Sequence, residues 1–515
     1  MYLGLDSSTQ SLSAMVIDPS TGRVVASSSI NFGKDLPQYK APSGFIPGGE
    51  DGVVHADPMM WLDALDSLFS SLSEITDLSS IERIAGSGQQ HGSVYLGENF
   101  DEVLESLAKG KSLPEQIAPA LVRQTSPIWM DTSTHEECAE ISAQVGGAAE
   151  VCVLSGSVAI ERFTGPQIRR FYKKNPDSYK KTRRIHLVSS FIASVLAGKS
   201  MPIDYGDGAG MNLLNLGDLK WDEKLLEATA PDLAEKLPGV GSCLVAGGRI
   251  SSYFTEKYGF SPDCEVCPFT GDNPASLVGM GATTPGQVVI SLGTSDTFFA
   301  AMPTPKTDPQ GFGHVFGNPA GGFMSLICFR NGSLAREALR DELGVDWSAF
   351  DKDALVETLS SAGKNITLPF YGAEITPRFD FEEPVIDFSE RPDAALRIRS
   401  LVEGQFLNMK LHSAWMGVET GRVRLTGGAA MNDGIAQLVA DVFQVPVERF
   451  EVTNSAALGA ALIAAASAGH DLPELQKSFC KASPDSLLQP NKELSGKYST
   501  ALENFEKLLR NFTQA

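Results

Sequence analysis

The chain has 515 residues, a length that predicts two large domains or three smaller ones. Hydrophobic residues make up 42 % and charged residues 20 %, which excludes the collagen-like, low-complexity and wholly disordered classes. The 63 acidic and 42 basic residues give a formal net charge of −21, so a polyanionic partner such as a nucleic acid or an anionic membrane is disfavoured.

The seven cysteines are odd in number and scattered, which argues against a disulfide framework. Cys264 and Cys267 form one C-x-x-C without the second pair of a zinc site, so chance spacing is favoured over a redox or metal role. Met1–Asp6 has neither the basic region nor the apolar core of a signal, and no apolar run reaches the ~18 residues of a membrane span. We therefore expect a cytoplasmic protein that does not associate with membranes.

Strand and helix patterns alternate along the first part of the chain, which predicts an α/β architecture. In chain order the predicted elements are a strand at Tyr2–Leu5, a polar tip at Asp6–Ser11, strands at Leu12–Asp18 and Arg23–Ser27, a helix at Pro58–Leu72 and a strand at Ile81–Gly86. The chain therefore opens as a β-meander with a polar hairpin tip.

The same pattern of strand, small polar tip and strand occurs again at Gly286–Met302. Its tip, Leu292–Asp296, follows the first tip, Leu5–Thr9, after about 290 residues, which is too far for a solenoid repeat and suits a duplicated domain. We therefore predict two domains, 1–284 and 285–515, that pack closely and enclose a cleft. The turn-rich stretch Ala246–Ile250 is the alternative boundary.

Hairpin tips rich in hydroxyls and glycine are suited to phosphate, because backbone N–H groups and Ser or Thr hydroxyls converge on its oxygens. An acid beside phosphate requires a cation in between, so we interpret Asp6 as holding Mg²⁺ through water. A solvated turn is the alternative for the first tip taken alone. The second copy of the pattern shifts the interpretation toward phosphate.

A glycine cluster, Arg424–Asn432, follows a predicted strand and precedes the helical pattern Gly434–Phe443. Two glycines at a strand end allow a flat ring system to approach the backbone, and Asn432 could cap the helix or contact a ligand. A strand, a Gly-Gly pair and a helix are common in α/β proteins, so this signal is weak by itself.

Asp272 stands where a predicted strand ends and a helix of small residues begins. A carboxylate in that position can take the proton of an alcohol as phosphoryl transfer proceeds. The alternative is an N-cap followed by a proline in the first turn, and the local sequence favours it. The two roles are compatible.

Together these segments resemble the FGGY carbohydrate kinases of the sugar kinase, Hsp70 and actin superfamily, nearly end to end. The matching segments are Gly4–Ser11, Gly86–Ser93, Glu161–Gly165, Asp204–Asn212, Phe269–Ala275, Ser291–Asp296 and Thr426–Ala429. The resemblance implies two ribonuclease H-like domains with a central cleft between them. The first would supply sugar binding, one phosphate loop and the catalytic aspartate, and the second would supply the other phosphate loop and adenosine binding.

The resemblance also implies roles for single residues. Asp272 would be the general base, and His91, Arg162 and Asn273 would bind the sugar with it. The nucleotide-binding positions that it implies are Thr9, Gly293, Thr294, Trp347, Gly427, Gly428 and Asn432, and the metal position is Asp6. Asp207 lies in a matching segment and is interpreted as structural or near the sugar.

Within the family the chain is most similar to kinases of xylulose, which implies ATP-dependent conversion of D-xylulose to D-xylulose 5-phosphate with Mg²⁺. Another pentulose or polyol, such as ribulose or glycerol, is the alternative acceptor, and a non-catalytic nucleotide-driven switch is the alternative of a different class. Gly271–Asn273 together with Gln89–His91 favours a kinase, since a switch requires no acceptor site. The expected partners are a small sugar and ATP, with no nucleic acid and no membrane, and a homodimer is left open.

Overall fold

A computed structural model describes residues 1–350, 355–356, 358–388, 392–450 and 454–513. The chain divides into two compact units, each formed from three segments. The first unit comprises Met1–Gly281, Val315–Phe323 and Asn454–Cys480. The second unit comprises Ala282–His314, Met324–Thr453 and Lys481–Ala515.

The first unit is built on a mixed sheet. Its strands lie in the order Gly248–Arg249, Glu265–Val266, Arg83–Gly88, Tyr2–Ser7, Ser11–Asp18 and Arg23–Asn31, and Thr270–Gly271 also pairs with Arg83–Gly88. Tyr2–Ser7 is the central strand; it is antiparallel to Ser11–Asp18 and parallel to Arg83–Gly88. All residues of this strand are buried, as expected for a strand covered on both faces.

The helix Pro58–Ser73 shows why the predicted helices form. Its N-cap, Asp57, accepts a hydrogen bond from the N–H of Met59, and its apolar face, which includes Trp61 and Phe69, is buried. The other helices of the first unit are Phe32–Asp35, Phe100–Glu105, Leu113–Ile117, His135–Val145, Ala148–Ser155, Thr164–Lys174, Pro176–Lys181, Val188–Ala197, Tyr205–Gly208, Glu223–Thr229, Leu233–Lys236, Ser252–Tyr258, Asp272–Gly279, Ser455–Ser467 and Leu472–Phe479. Its short outlying strands are His55–Ala56, Ser93–Leu96, Ser126–Pro127, Arg184–Leu187, Ile203–Asp204, Leu214–Asn215, Lys220–Trp221 and Val240–Gly241.

The second unit repeats this arrangement of strands. Five neighbouring strands of its mixed sheet lie in the order Phe323–Phe329, Asp296–Met302, Gln287–Leu292, Arg422–Thr426 and Val447–Arg449. Gln287–Leu292 is antiparallel to the strand that follows it and parallel to Arg422–Thr426, as the central strand of the first unit is to its own neighbours. The predicted α/β architecture with two ribonuclease H-like domains is confirmed.

Four long helices accompany this second sheet, and two pairs of short strands lie in sequence between the first helix and the second. The helices are Ser333–Leu343, Ala394–Ser413, Asp433–Phe443 and Ser495–Thr513. The short strands of this half of the chain are His314–Gly317, Ile366–Leu368, Ala373–Ile375, Arg378–Asp380 and Val385–Asp387. Of the helices that the structure describes, none is long and apolar enough to cross a membrane.

The helix Ser455–Ser467 belongs to the first unit although it comes late in the sequence. A β-carbon on Gly459 would collide with the carbonyl group of Ala275, and one on Gly4 would collide with the backbone of the late helix. Glycine at these two positions therefore lets the late helix touch both the central strand and the helix Asp272–Gly279. A single division after residue 284 assigns this helix to the second half of the chain, whereas backbone packing makes it part of the first unit.

Candidate active site

Asp6 lies near the end of the central strand of the first unit, just before the hairpin tip. Its buried carboxylate accepts a hydrogen bond from the hydroxyl of Ser87, on the neighbouring parallel strand, at an oxygen–oxygen distance of 2.7 Å. Burial and the charge of Asp272 raise the pKa of Asp6 to about 7. A second carboxylate is therefore close enough to disfavour the ionised form of Asp6.

Thr9 stands in the hairpin tip that follows. Its hydroxyl oxygen accepts a hydrogen bond from Trp129 Nε1 at 2.8 Å, and the N–H of Ser8 closes the tip by donating to the carbonyl of Ser11 at 3.0 Å. A hydroxyl group that accepts one hydrogen bond still has its own proton to donate. The Thr9 hydroxyl is therefore held by Trp129 and keeps a proton that it can donate.

Asp272 is the first residue of the helix Asp272–Gly279 and directly follows the strand Thr270–Gly271. The N-cap is Gly271, so the interpretation of Asp272 as the cap is wrong by one residue. One carboxylate oxygen accepts hydrogen bonds from the backbone N–H of Asn273 at 2.9 Å and from its side-chain amide at 3.2 Å. Burial nevertheless raises the pKa of Asp272 to about 6, near the value that suits a general base at neutral pH.

Asn273 links this acid to the end of a neighbouring strand. Its Nδ2 donates to Gln90 Oε1 at 2.9 Å, and Gln90 Nε2 donates to the carbonyl oxygen of Gly206 at 3.4 Å. A β-carbon on Gly271 would collide with the Gln90 side chain, so glycine leaves room for that amide beside the helix start. The Gln90 amide therefore fixes Asn273 and, through it, the orientation of the Asp272 carboxylate.

His91 is held in one orientation by its surroundings. Its backbone is in the left-handed region, with φ at 72°, which a residue other than glycine rarely adopts. Nδ1 donates to the carbonyl oxygen of Gly210 at 2.7 Å. Burial and the nearby Arg162 lower the pKa of His91 to about 3. The imidazole is therefore neutral, and its Nε2 is a hydrogen-bond acceptor.

An aromatic ring connects the two basic residues that were predicted to bind sugar. Phe163 stacks on His91 with the ring centroids 4.2 Å apart, and the guanidinium carbon of Arg162 lies 5.7 Å from the centre of the same phenyl ring. A neutral imidazole accepts a hydrogen bond and a guanidinium donates several. Together they suit the neighbouring hydroxyl groups of an uncharged polyol.

Asp207 is a buried acid that belongs to the same group of residues. Ser189 donates a hydrogen bond to Asp207 Oδ2, while Oδ1 is buried with no hydrogen-bond partner in the part of the chain that the structure describes. Burial raises the pKa of Asp207 well above its ordinary value, and the charges of Asp272 and Asp204 raise it further. The sequence alone did not decide whether Asp207 is structural or lies near the sugar, because no local pattern indicates that it is close to Asp272.

In the second unit, two loops leave adjacent parallel strands at the same edge of the sheet. Ser291 pairs with Thr426 at the strand ends, so the tip Gly293–Ser295 and the glycine pair that starts at Gly427 begin next to each other. Gly427 has a φ of 93°, and a β-carbon there would collide with the backbone of Leu292. Glycine at 427 therefore allows the two loops to touch.

A cavity of about 280 Å³ is lined in part by the second of these loops. Three predicted nucleotide positions line it, Trp347, Gly428 and Asn432, together with Phe350. Trp347 meets Phe350 edge to face, with the ring centroids 5.4 Å apart. Aromatic walls and an open glycine backbone suit the flat ring of a nucleobase.

Asn432 caps the helix Asp433–Phe443, which was one of its two predicted roles. Its Oδ1 accepts a hydrogen bond from the N–H of Ile435 at 2.9 Å, and its Nδ2 donates to the carbonyl oxygen of Phe350 at 2.6 Å. Both ends of the amide are therefore engaged within the protein. Asn432 ties the start of the helix to the aromatic wall of the cavity.

Comparison with known proteins identifies the family. The model of the C-terminal domain of the FGGY family of carbohydrate kinases matches residues 288–468, and that of the N-terminal domain matches residues 122–279. The chain is 40 % identical to a xylulose kinase of Rattus norvegicus, over 98 % of this chain and 96 % of that protein. The chain belongs to the FGGY family of carbohydrate kinases.

Relatives of this FGGY kinase also occur in plants and fungi. It is 40 % identical to xylulose kinase 2 of Arabidopsis thaliana, over 90 % of this chain and 87 % of that one, and 36 % identical to D-xylulose kinase A of Aspergillus niger, over 99 % and 97 %. Among solved structures, a xylulose kinase from Rhodospirillum rubrum superposes with a TM-score of 0.83 at 19 % identity, covering 99 % of this chain and 98 % of that one. A gluconate kinase from Lactobacillus acidophilus superposes with a TM-score of 0.82 at 21 % identity, covering 100 % and 98 %. Kinases named for different sugars share this fold equally well, so the fold does not select the sugar.

The two cysteines of the C-x-x-C in this FGGY kinase are not among the candidate site residues described above. Cys264 and Cys267 are buried and form no disulfide with each other. Burial raises the pKa of Cys264 to about 12 and that of Cys267 to about 11, which suppresses the reactive thiolate. Both values favour the interpretation of chance spacing over a redox role.

Proposed function

We propose that this carbohydrate kinase transfers the γ-phosphate of ATP to D-xylulose and produces D-xylulose 5-phosphate and ADP. The observation that carries the proposal is identity of about 40 % over nearly the full chain to proteins named xylulose kinase from an animal and a plant. The polar groups around Asp272 support the same chemistry, since they suit an acceptor that carries several hydroxyl groups.

In the proposed reaction, Asp272 accepts the proton of the C5 hydroxyl as the sugar oxygen forms a bond to the γ-phosphorus. The bond between that phosphorus and the oxygen bridging to the β-phosphate breaks, and ADP leaves with the electron pair. The bonds from Asn273 to both Asp272 and Gln90 support the assignment, because they hold the carboxylate in one orientation before the sugar arrives.

The sugar is proposed to bind through His91, Arg162 and Asn273 beside the base. The neutral Nε2 of His91 accepts a hydrogen bond from one hydroxyl, and the guanidinium of Arg162 donates to others. The stacking of Phe163 against the imidazole supports this assignment, because it leaves the ring little freedom to turn.

ATP is proposed to bind through two sets of residues. Thr9, Gly293 and Thr294, in the two hairpin tips, contact the phosphates through hydroxyl and backbone N–H groups. Trp347, Gly427, Gly428 and Asn432 form or support the adenosine site around the cavity of about 280 Å³. The contact between Gly427 and Leu292 supports both assignments, since it fixes one loop against the other.

Mg²⁺ is proposed as the metal, with Asp6 as the protein group nearest to it. The residues fit the ion: burial and the nearby Asp272 carboxylate raise the pKa of Asp6, and a divalent cation would favour its ionised form. In the described part of the chain, no cluster of three His, Cys, Asp or Glu side chains could hold a metal alone, which suits an ion bound mainly by water and phosphate. When bound, Mg²⁺ would neutralise the phosphate oxygens of ATP.

A substrate panel tests the proposed function. Purified protein is supplied with Mg-ATP and, separately, with D-xylulose, D-ribulose, gluconate and glycerol, and ADP release is followed. We expect kcat/KM for D-xylulose to exceed the others at least tenfold, and Asp272→Asn to slow sugar-stimulated release of ADP at least about a hundredfold. Preference for another acceptor would assign this kinase to that substrate, and sugar-independent turnover would favour a nucleotide-driven switch. A cytoplasmic location and a homodimer stay predictions.

A further inference from the structure

The second unit buries an arginine that the proposed reaction does not use. Arg336, in the helix Ser333–Leu343, is 1 % exposed, and so is its partner Asp296. Nη1 and Nη2 of Arg336 contact separate carboxylate oxygens of Asp296 at 3.1 and 3.2 Å. An ion pair removed from water is costly unless its geometry is good and its remaining hydrogen-bonding groups are satisfied.

The side chain of Gln405 also binds the arginine of this ion pair. Arg336 Nη1 also donates to Gln405 Oε1 at 2.8 Å. Gln405 Nε2 in turn donates to the carbonyl oxygens of Asn331 and Gly332, at 2.7 and 2.8 Å. The arginine is thereby tied both to the helix Ala394–Ser413 and to the turn that precedes its own helix.

The carboxylate of this pair holds the phosphate loop of the second unit. Asp296 pairs across the tip with Leu292, the residue before Gly293, and the carbonyl oxygen of Gly293 accepts a hydrogen bond from the N–H of Ser333 at 2.9 Å. The start of the arginine's helix is therefore bonded directly to Gly293. A β-carbon on Gly332 would collide with Asp296, so glycine there allows the turn to lie directly against the acid.

The same arginine lines the cavity assigned above to adenosine. Its neighbours in that lining include Trp347, Gly428 and Asn432. One rigid, charged side chain thus borders the nucleoside cavity and, through Asp296, fixes Gly293 in the phosphate loop. A planar guanidinium with two parallel contacts defines the direction of its partner more strictly than a flexible ammonium group does.

We propose that Arg336 is a positioning residue for ATP, which aligns the phosphate loop at Gly293 with the adenosine cavity through Asp296. The inference rests on the proposed use of ATP but not on the identity of the sugar. Arg336 contacts none of the reacting atoms in this scheme. Its loss therefore weakens the use of ATP and leaves sugar binding intact.

Steady-state kinetics of Arg336→Met and Asp296→Asn test this inference. With a saturating acceptor, we expect the KM for ATP to rise at least tenfold in each variant, while the KM for the sugar stays within twofold of wild type. The KM for ATP of the double variant should be no higher than that of Arg336→Met, because both single changes break the same ion pair.

Arg399→Met is the matched control. Arg399 is equally buried in the same unit, and its Nε contacts Glu403 Oε1 at 2.8 Å, but it does not line the adenosine cavity. We expect this variant to lose stability and to keep the KM for ATP within twofold of wild type. An equal rise in the KM for ATP would show a general effect of unfolding and would overturn the inference.

A KM for ATP within twofold of wild type in folded Arg336→Met also overturns it. If that variant does not fold, Asp296→Asn, which keeps the side-chain volume, decides by the same criterion. Wild-type protein that uses no ATP with any acceptor would overturn the proposed function itself. If the wild-type protein is active and the Arg336 and Asp296 variants keep the wild-type KM for ATP, the proposed function stands and only the positioning role of Arg336 is refuted.

Discussion

The carboxylate of Asp272 has to be ionised to accept a proton, and burial raises its pKa to about 6. We therefore expect kcat/KM to fall as the pH drops through about 6 and to level off above 7. Asp272→Asn should lower kcat by about 10²- to 10⁴-fold, the usual contribution of a general base. A pH–rate profile from 5 to 8.5 checks both expectations. A flat profile, or an Asn variant with more than a tenth of the wild-type rate, would contradict the assignment.

The same burial has a consequence for stability. The raised pKa means that the folded protein binds the Asp272 proton more tightly than the unfolded chain does. This proton therefore contributes to stability below a pH of about 4, and the contribution is lost as the pH rises through about 6. Asparagine does not ionise, so Asp272→Asn does not lose stability in this way. The melting temperature of the variant relative to wild type should therefore be higher at pH 8 than at pH 5. Equal differences at the two pH values in calorimetry would count against this account of the site.

Asp6 acts, in this account, on the metal–nucleotide side of the reaction. We expect Asp6→Ala to raise the KM for Mg-ATP at least tenfold and to leave the dissociation constant for D-xylulose within threefold of wild type. Isothermal titration without nucleotide measures the sugar affinity. Asp18→Ala, on the neighbouring strand of the same hairpin, is the control, and both constants should stay near wild type. A comparable loss of sugar affinity in Asp6→Ala would refute the division of roles.

At the scale of elements, backbone contact between two helices sets the place of the base. A β-carbon on Gly459 would collide with the carbonyl group of Ala275, in the helix that begins at Asp272. Gly459→Ala should therefore lower the free energy of unfolding by about 1 to 3 kcal/mol, the usual range for overpacking, and should reduce kcat. Urea unfolding and the rate at saturating substrate measure the two effects.

Gly496→Ala is the control for that substitution. Gly496 lies in the helix Ser495–Thr513, and a β-carbon there meets no atom within 4 Å. Alanine should leave the rate unchanged and stabilise the helix by up to about 1 kcal/mol. If Gly459→Ala were as stable and as active as Gly496→Ala, the helix contact would not determine the position of Asp272.

Elements with a local signal could be predicted from the sequence. The helix Pro58–Ser73 has an N-cap, a proline in the first turn and apolar residues at helical spacing, and Ser455–Ser467 is an unbroken run of small and apolar residues. The start of the helix at Asp272 was misjudged by one residue, because Gly271 caps it without a side chain. Helix ends depend on backbone geometry that residue types specify only loosely.

Contacts between distant residues could not be predicted in this way. The motif at Asp272 indicated a base, but its coupling to Asp207 depends on how the chain packs in three dimensions. The ion pair between Asp296 and Arg336 likewise depends on the packing of a strand against a helix. Sequence reasoning therefore nominated the site residues, which stay predictions, and missed the contacts that hold those residues in place.

At the scale of the whole molecule, the duplicated sheets follow from two polar tips between apolar strands, a pattern visible in the sequence. The position of the late helix in the first unit follows from glycine contacts, which no local pattern reports. The net charge of −21 fits an uncharged sugar and does not assist the binding of ATP. The proposed binding of ATP therefore relies on local groups for the phosphates, for which we proposed the hairpin tips and a cation.

The most direct test of this account is to identify the product by phosphorus and carbon NMR. Wild-type protein with Mg-ATP and D-xylulose should give one sugar phosphate, with the phosphate on C5, in equal amount to ADP, and Asp272→Asn should form it at least about a hundredfold more slowly. Consumption of ATP without a sugar phosphate, a phosphate on another carbon, or formation of the product by Asp272→Asn at more than a tenth of the wild-type rate would contradict it.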